Sequence, residues 1–330
     1  MKIGIISPSN NVLKVFPNRR ITGLENLKMI GASTCFSKNA IRYNDSSSKS
    51  VKERLDEFNE IMDSNVDLIM ASIGGYTSIQ LLDKLDYDKI KKKKLKICGF
   101  SDITAILLSI YTKTRLEMLY GPVFTVNLCD YGGVDSYTKE GLLNALGGNK
   151  FICKPSDYSI KEFIDWKDLE ESKIIKKKEL KENDWKIVNK GKGKGKLIGG
   201  NLATMLLILG TEYLPIDEFK DSILFLEECN TNILKFTSYL ESLKLKGIFN
   251  IVNGVIFGKF DSDDMNNNIE EFLKEYFNDY NIPVACNLDF GHVFPIFTIP
   301  IGRNATLECE DKSVYLEIED KKKQKIKNIK

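Results

Sequence analysis

The chain has 330 residues, 42% apolar and 28% charged, the balance of a folded globular protein rather than a disordered one. Its 48 basic and 46 acidic residues leave a formal charge of +2, so no global electrostatic pull favours nucleic acid or an anionic membrane as a partner. A chain of this length exceeds the usual size of one hydrophobic core, so two domains are expected.

The first predicted element is "IGIIS", Ile3 to Ser7, a short apolar run that meets a Pro-Ser-Asn turn, as a buried parallel strand opening into a loop does. "SVKERLDEFNEIMDSN" reads as a helix with Ser50 and Glu53 as a capping box and Val51, Leu55, Phe58 and Met62 on one face. "VDLIMASIGGY" is a second buried strand ending at Gly74 and Gly75, and "SIQLLDKLDYDKI" a helix after it. "LKICGFSDITAILLSIYTKT" repeats the pattern of buried strand, sharp turn and helix. Strands alternating with helices predict an α/β domain over residues 1–150, a parallel sheet covered by helices.

The character changes after residue 150. Residues 151–192 are rich in lysine and glutamate, hold both tryptophans, Trp166 and Trp185, and read as a connecting excursion over the surface. "GKGKGKLIGGN" lacks the spacing of a phosphate loop and reads as a basic, flexible connection. From residue 193 to 320, closely spaced strands broken by proline and glycine predict a smaller β-rich α/β domain, followed by a lysine-rich tail at 321–330. The lysine runs at 89–96 and in the tail lack interleaved aromatics, so they read as solvated surface and not as a nucleic-acid site.

The seven cysteines are odd in number, scattered and never paired as C-x-x-C, a pattern of reduced thiols and not of a disulfide framework or a zinc site. The N-terminal apolar run, stopped by Pro8, is too short for a signal segment or a membrane span. A cytoplasmic protein without a membrane partner, a metal or a required cofactor is the expectation.

Three positions could carry chemistry. Ser101 stands at the turn from strand to helix, where a serine serves as an N-cap or, as in a nucleophile elbow, as an exposed nucleophile beside free N–H groups. Gly99 supplies the first glycine of G-x-S-x-G, but Ile103 stands in place of the second, so the motif is incomplete and both readings stand. Glu227 and Glu228 end the apolar run "SILFLEE", where adjacent residues point to opposite faces and at most one faces a cleft. His292, the only histidine, lies in "DFGHVFPIFTIPIG", and any mechanism that needs an imidazole base must use it.

The ordered set "SIGGYTSIQLLDKLDYDKI", "KICGFSDITAILLSIYTKT", "YGPV", "GKLIGGNLATMLLILGT", "ILFLEE" and "GHVFPIFTIPIG" resembles the LD-carboxypeptidase family of serine peptidases from about Ile3 to Glu319. That family includes murein tetrapeptide carboxypeptidases and microcin C immunity peptidases. The resemblance implies an N-terminal Rossmann-like domain and a C-terminal β-rich domain with a Ser-His-Glu triad between them, matched here by Ser101, His292 and Glu227. It also implies an oxyanion hole from the backbone N–H groups of Gly75 and Asp102, and a homodimer. Ile73 stands where the murein enzymes carry an arginine, and Trp185 matches a tryptophan that stacks on adenine in the immunity type. The implied function is hydrolysis of a small peptidyl-nucleotide substrate of the microcin C kind. The alternatives are release of D-alanine from murein tetrapeptide and, from another class, a small-molecule binding domain in which Ser101 only caps its helix.

Overall fold

The computed structural model describes residues 1–38, 40–41, 49–160, 166–167, 174–181, 185–260 and 263–321. The tail expected at 321–330 lies outside the described residues from 322 onward, as do parts of the excursion at 151–192. Two sheets organise the chain. The first has six strands in the order Ile299–Ile301, Met118–Tyr120, Ile97–Gly99, Leu68–Ala71, Lys2–Ile6 and Ser33–Phe36. All its pairings are parallel except that of Ile299–Ile301, an antiparallel edge strand from the far end of the chain. Its four inner strands are mainly apolar and buried, as in a sheet covered on both faces.

The second sheet has eight strands, in the order Phe151–Cys153, Ser313–Ile318, Asn304–Glu310, Gly191–Asn201, Ser222–Glu227, Gly254–Gly258, Val284–Leu288 and Lys186–Asn189. Its four consecutive strands from Gly191–Asn201 to Val284–Leu288 are parallel, and the outer ones antiparallel. Thus Phe151–Cys153 and Lys186–Asn189, expected as connection, belong to this sheet.

Sequence reading also missed the strand Gly191–Asn201, eleven residues long. The glycines suggest flexibility, yet here they permit close approach. A Cβ at Gly193 would stand 2.0 Å from the Asn253 carbonyl oxygen, and one at Gly195 2.1 Å from that of Asp221. The alternating lysines pair outward with neighbouring acids, Lys192 with Glu308, Lys194 with Glu319 and Lys196 with Glu218. Alternation of glycine and lysine is therefore a strand with one crowded face and one charged face.

Other local readings are seen directly. Ser50 and Glu53 form the capping box of the helix Val51–Met62. The segment "SIQLLDKLDYDKI" is split into a 3-10 turn at Ser78–Leu81 and a helix at Tyr87–Lys93, because Asp86 caps a new start by accepting from the Lys89 N–H. None of the seven cysteines forms a disulfide, and five of them are buried.

The helix Thr104–Thr114 joins the two halves. Every residue from Thr104 to Tyr111 is buried, so it has no polar face to turn to water. One continuous core includes Ile69 and Ile97 of the first sheet, Ile106, Leu107 and Leu108 of this helix, and Leu197 and Leu224 of the second sheet. Burial of each such side chain contributes roughly 1.5–3 kcal/mol. Leu107→Ala should lower stability by about 2–5 kcal/mol, seen as a fall in the denaturant midpoint; a loss below about 1 kcal/mol would show that the helix does not seal the seam.

Candidate active site

Parallel sheets place ligand sites at the carboxyl ends of their strands. Here both sheets contribute such ends to one cleft. Ser101 follows the strand Ile97–Gly99, Gly74 and Gly75 follow Leu68–Ala71, Glu227 ends Ser222–Glu227, and His292 follows Val284–Leu288.

Ser101 has φ +63°, the left-handed region that costs a non-glycine residue about 1–3 kcal/mol. It is the first residue of the 3-10 turn Ser101–Ile103, whose N-cap position is held by Phe100. Ser101 Oγ lies 3.1 Å from His292 Nε2, and the Ser101 carbonyl accepts from the Thr104 hydroxyl at 2.6 Å. The other ring nitrogen, Nδ1, donates to Glu227 Oε2 at 2.7 Å. Phe100 packs edge-on against the imidazole, with ring centroids 4.9 Å apart, and so restricts its tilt.

Glu227 has a fully buried side chain, while that of His292 is 22% exposed. Burial pushes the Glu227 carboxyl up, but the charge of His292 and hydrogen bonds from His292, Tyr120 and Asn201 outweigh it and hold the group below its ordinary value. The Glu227 Oε1 atom accepts from the Tyr120 hydroxyl at 2.6 Å and from Asn201 Nδ2 at 3.1 Å. Burial pushes His292 down, yet the Glu227 carboxylate, with hydrogen bonds to Cys229 and Glu227, raises it well above 6.5. Glu228 turns away from the imidazole and accepts from the backbone N–H of Ala203 at 2.7 Å and from Asn201 Nδ2 at 3.2 Å.

Gly74 lies against the serine, and Gly75 against Ser9 and Asn10. A Cβ at Gly74 would stand 2.9 Å from Ser101 Oγ, and the backbone N of Asp102 is 3.6 Å from the same point. The loop is held from behind: Arg54 donates to the carbonyls of Pro8 and Thr77, both at 2.9 Å, and Asn10 N–H donates to the Gly74 carbonyl. The Asp102 carboxylate accepts from the Ser78 N–H at 2.9 Å, which pins the same loop to the serine turn. N–H groups in the first turn of a helix have no partner within it, so that of Asp102 suits a developing negative charge.

A cavity of about 1110 Å³ opens onto these groups. Ser101, His292, Gly75, Ile73, Tyr76 and Glu228 contribute to its wall, together with Lys176, Lys181, Lys235 and Lys259. Tyr76 is 84% exposed at this wall. Among the described residues, no group of three or more His, Cys, Asp or Glu side chains could hold a metal ion, and no helix is long and apolar enough to cross a membrane.

Residues 3–121 match the LD-carboxypeptidase N-terminal domain, and residues 194–307 match the LD-carboxypeptidase C-terminal domain. The chain belongs to the LD-carboxypeptidase family. This LD-carboxypeptidase is 32% identical over 322 residues to the microcin C7 self-immunity protein MccF of Escherichia coli, covering 95% of this chain and 92% of that protein. Among solved structures it is similar to an MccF-like protein from Bacillus anthracis, with a TM-score of 0.87, 32% identity and coverage of 97% of this chain and 96% of the other. It is also similar to MccF in complex with aspartyl sulfamoyl adenosine, with a TM-score of 0.86, 31% identity and the same 97% and 96% coverage. The family makes it a serine carboxypeptidase, a hydrolase of the MccF type with a two-domain α/β fold.

Trp185 is only 5% exposed; its indole N–H donates to Asp289 Oδ2 at 2.8 Å and its ring packs on Phe297. Trp166 packs edge-on against Phe16, with Arg19 over its ring at 4.4 Å. Sequence reading also passed over Tyr120, Asn201 and Gly291, which hold Glu227; the strings "YGPV", "GGN" and "GHVFP" contain them, but nothing in their local pattern tells that they meet one carboxylate.

Gly291 shows how tightly that carboxylate is enclosed. With φ +92°, it lies so close that a Cβ would stand 2.6 Å from both Cγ and Oε2 of Glu227. Gly291→Ala should therefore displace Glu227 and abolish the downfield proton resonance of the hydrogen bond between His292 and Glu227. An unchanged resonance would show that the carboxylate has room to spare.

Proposed function

We propose that Ser101, His292 and Glu227 act as nucleophile, general base and orienting acid in hydrolysis of an amide bond through an acyl-enzyme. The observation that carries this reading is the continuous line from Ser101 Oγ to His292 Nε2 at 3.1 Å and from His292 Nδ1 to Glu227 Oε2 at 2.7 Å. Neutral His292 takes the hydroxyl proton as Oγ attacks the scissile carbonyl, and Glu227 fixes the tautomer and balances the imidazolium that forms. The backbone N–H groups of Gly75 and Asp102 stabilise the oxyanion, each such donor contributing roughly 3–4 kcal/mol. As the C–N bond breaks, His292 returns the proton to the leaving nitrogen. A water molecule, deprotonated by His292, then releases the acid from Ser101.

For substrate, we infer an aminoacyl nucleotide in which aspartate or glutamate is joined through an amide to a nucleotide-like group. The likeness to MccF with aspartyl sulfamoyl adenosine supports this class. So does a cavity of about 1110 Å³, which has room for more than one amino-acid residue. Apolar Ile73 in the cavity wall supplies no charge for the terminal carboxylate of a murein peptide, which favours the nucleotide substrate.

The test is hydrolysis of aspartyl sulfamoyl adenosine and of murein tetrapeptide, followed by mass spectrometry. Faster turnover of the first, and loss of at least about 10³-fold in kcat for Ser101→Ala, are expected. Preference for the murein peptide would overturn the substrate, and turnover surviving in Ser101→Ala would overturn the nucleophile.

The base works only when deprotonated, so kcat/KM is low on the acid side and rises through the pKa of His292 in the free enzyme. Because Glu227 holds that value well above 6.5, the acid limb should lie above pH 6.5. In Glu227→Gln the charge that raises it is gone, and the limb should move to lower pH while the plateau falls by roughly 10⁴-fold. A limb that stays in place would separate His292 from the rate-determining proton transfer.

A further inference from the structure

Each half of the triad stands on a different sheet, so something must set the distance between them. Ser101 leaves the first sheet, whereas Glu227 and His292 come from strand ends of the second. Tyr120 lies at the place where the two meet. It ends the strand Met118–Tyr120, pairs in register with Gly99, and is thus a lateral neighbour of the residue two before Ser101. Its ring is 1% exposed and packs on Phe225 of the strand that carries Glu227, with centroids 5.3 Å apart, and on Phe100, which borders His292.

A buried phenol needs a partner, and this one finds it across the seam. Its hydroxyl donates to Glu227 Oε1 at 2.6 Å, the oxygen that His292 does not use. On the other side of the carboxylate, Thr104 donates to the Ser101 carbonyl and accepts from the Asn201 N–H, while Asn201 donates to Glu227. The carbonyl of the strained serine is therefore tied, through Thr104 and Asn201, to the residues that hold the acid.

Resting on the triad reading, we propose that Tyr120 is a positioning residue: from the strand beside that of the nucleophile, its hydroxyl holds the orienting carboxylate of the other sheet. Tyr120 is not part of the cavity wall, so its effect runs through Glu227. The hydroxyl also shares the charge of Glu227 with His292. Without it the imidazolium becomes the main donor to a less satisfied carboxylate and pairs with it more tightly.

Tyr120→Phe tests this, because the ring and its packing remain and only the hydroxyl is lost. Removing a hydrogen bond to a charged group predicts a fall of about 10- to 100-fold in kcat, with KM for aspartyl sulfamoyl adenosine changed less than about twofold. The acid limb of kcat/KM should move to higher pH, the direction opposite to that of Glu227→Gln. The other titratable groups facing this pair, Glu228 through Asn201 and Cys229 beside His292, are unaltered in both variants. In the Glu227→Gln background, Tyr120→Phe should cost at most about twofold more, since the residue through which it acts is already impaired.

A merely structural role would lower the melting temperature of Tyr120→Phe and leave kcat and the acid limb in place, which overturns the proposal. Full additivity of the two substitutions overturns it as well. A Ser101→Ala enzyme that still turns over would instead sink the triad reading itself, so the two failures are distinguishable.

Discussion

The helix Thr104–Thr114 is buried on every side from Thr104 to Tyr111, so both sheets must close upon it. That single constraint places the start of the helix, and with it Ser101, in the seam between the sheets. It also explains why residues almost 200 positions apart in sequence can meet: Ser101 and His292 are joined by a contact spanning 191 positions. Burial stabilises the seam, and the seam sets the geometry.

Within the seam the costs are local and identifiable. Ser101 holds a left-handed backbone, about 1–3 kcal/mol above an extended one. Glu227 keeps a charge away from water, a penalty of several kcal/mol that is recovered only if its oxygens are fully hydrogen-bonded. The structure supplies His292 on one oxygen and Tyr120 with Asn201 on the other. In the proposed mechanism the same donors that offset the buried charge also orient the base. Stability and chemistry therefore draw on one set of contacts, and a substitution that improves one can harm the other.

The parts legible in sequence were those with local physical signatures. Continuous apolar runs marked the parallel strands, and Ser50 with Glu53 marked a helix start that the structure contains in full. Ser101, Glu227 and His292 were each notable for a separate reason: a turn, a strand end and rarity. Only the ordered family motifs joined them, because their meeting is a property of the docked sheets and not of any window of sequence. The misreading has the same origin. "GKGKGK" looks flexible until neighbouring carbonyls fill the space that a Cβ would need. The contacts of Tyr120 were illegible because its hydroxyl reaches a residue 107 positions away.

The central claim is that docking of the two sheets makes Ser101 a base-activated nucleophile. The most direct measurement is active-site labelling with a fluorophosphonate, whose phosphorus traps an activated serine, followed by peptide mass spectrometry. One phosphonyl group per chain is expected on the peptide that contains Ser101, with labelling lost in His292→Ala although that variant remains folded. Labelling at another residue, or an enzyme that turns over substrate yet leaves Ser101 unmodified, would contradict the claim.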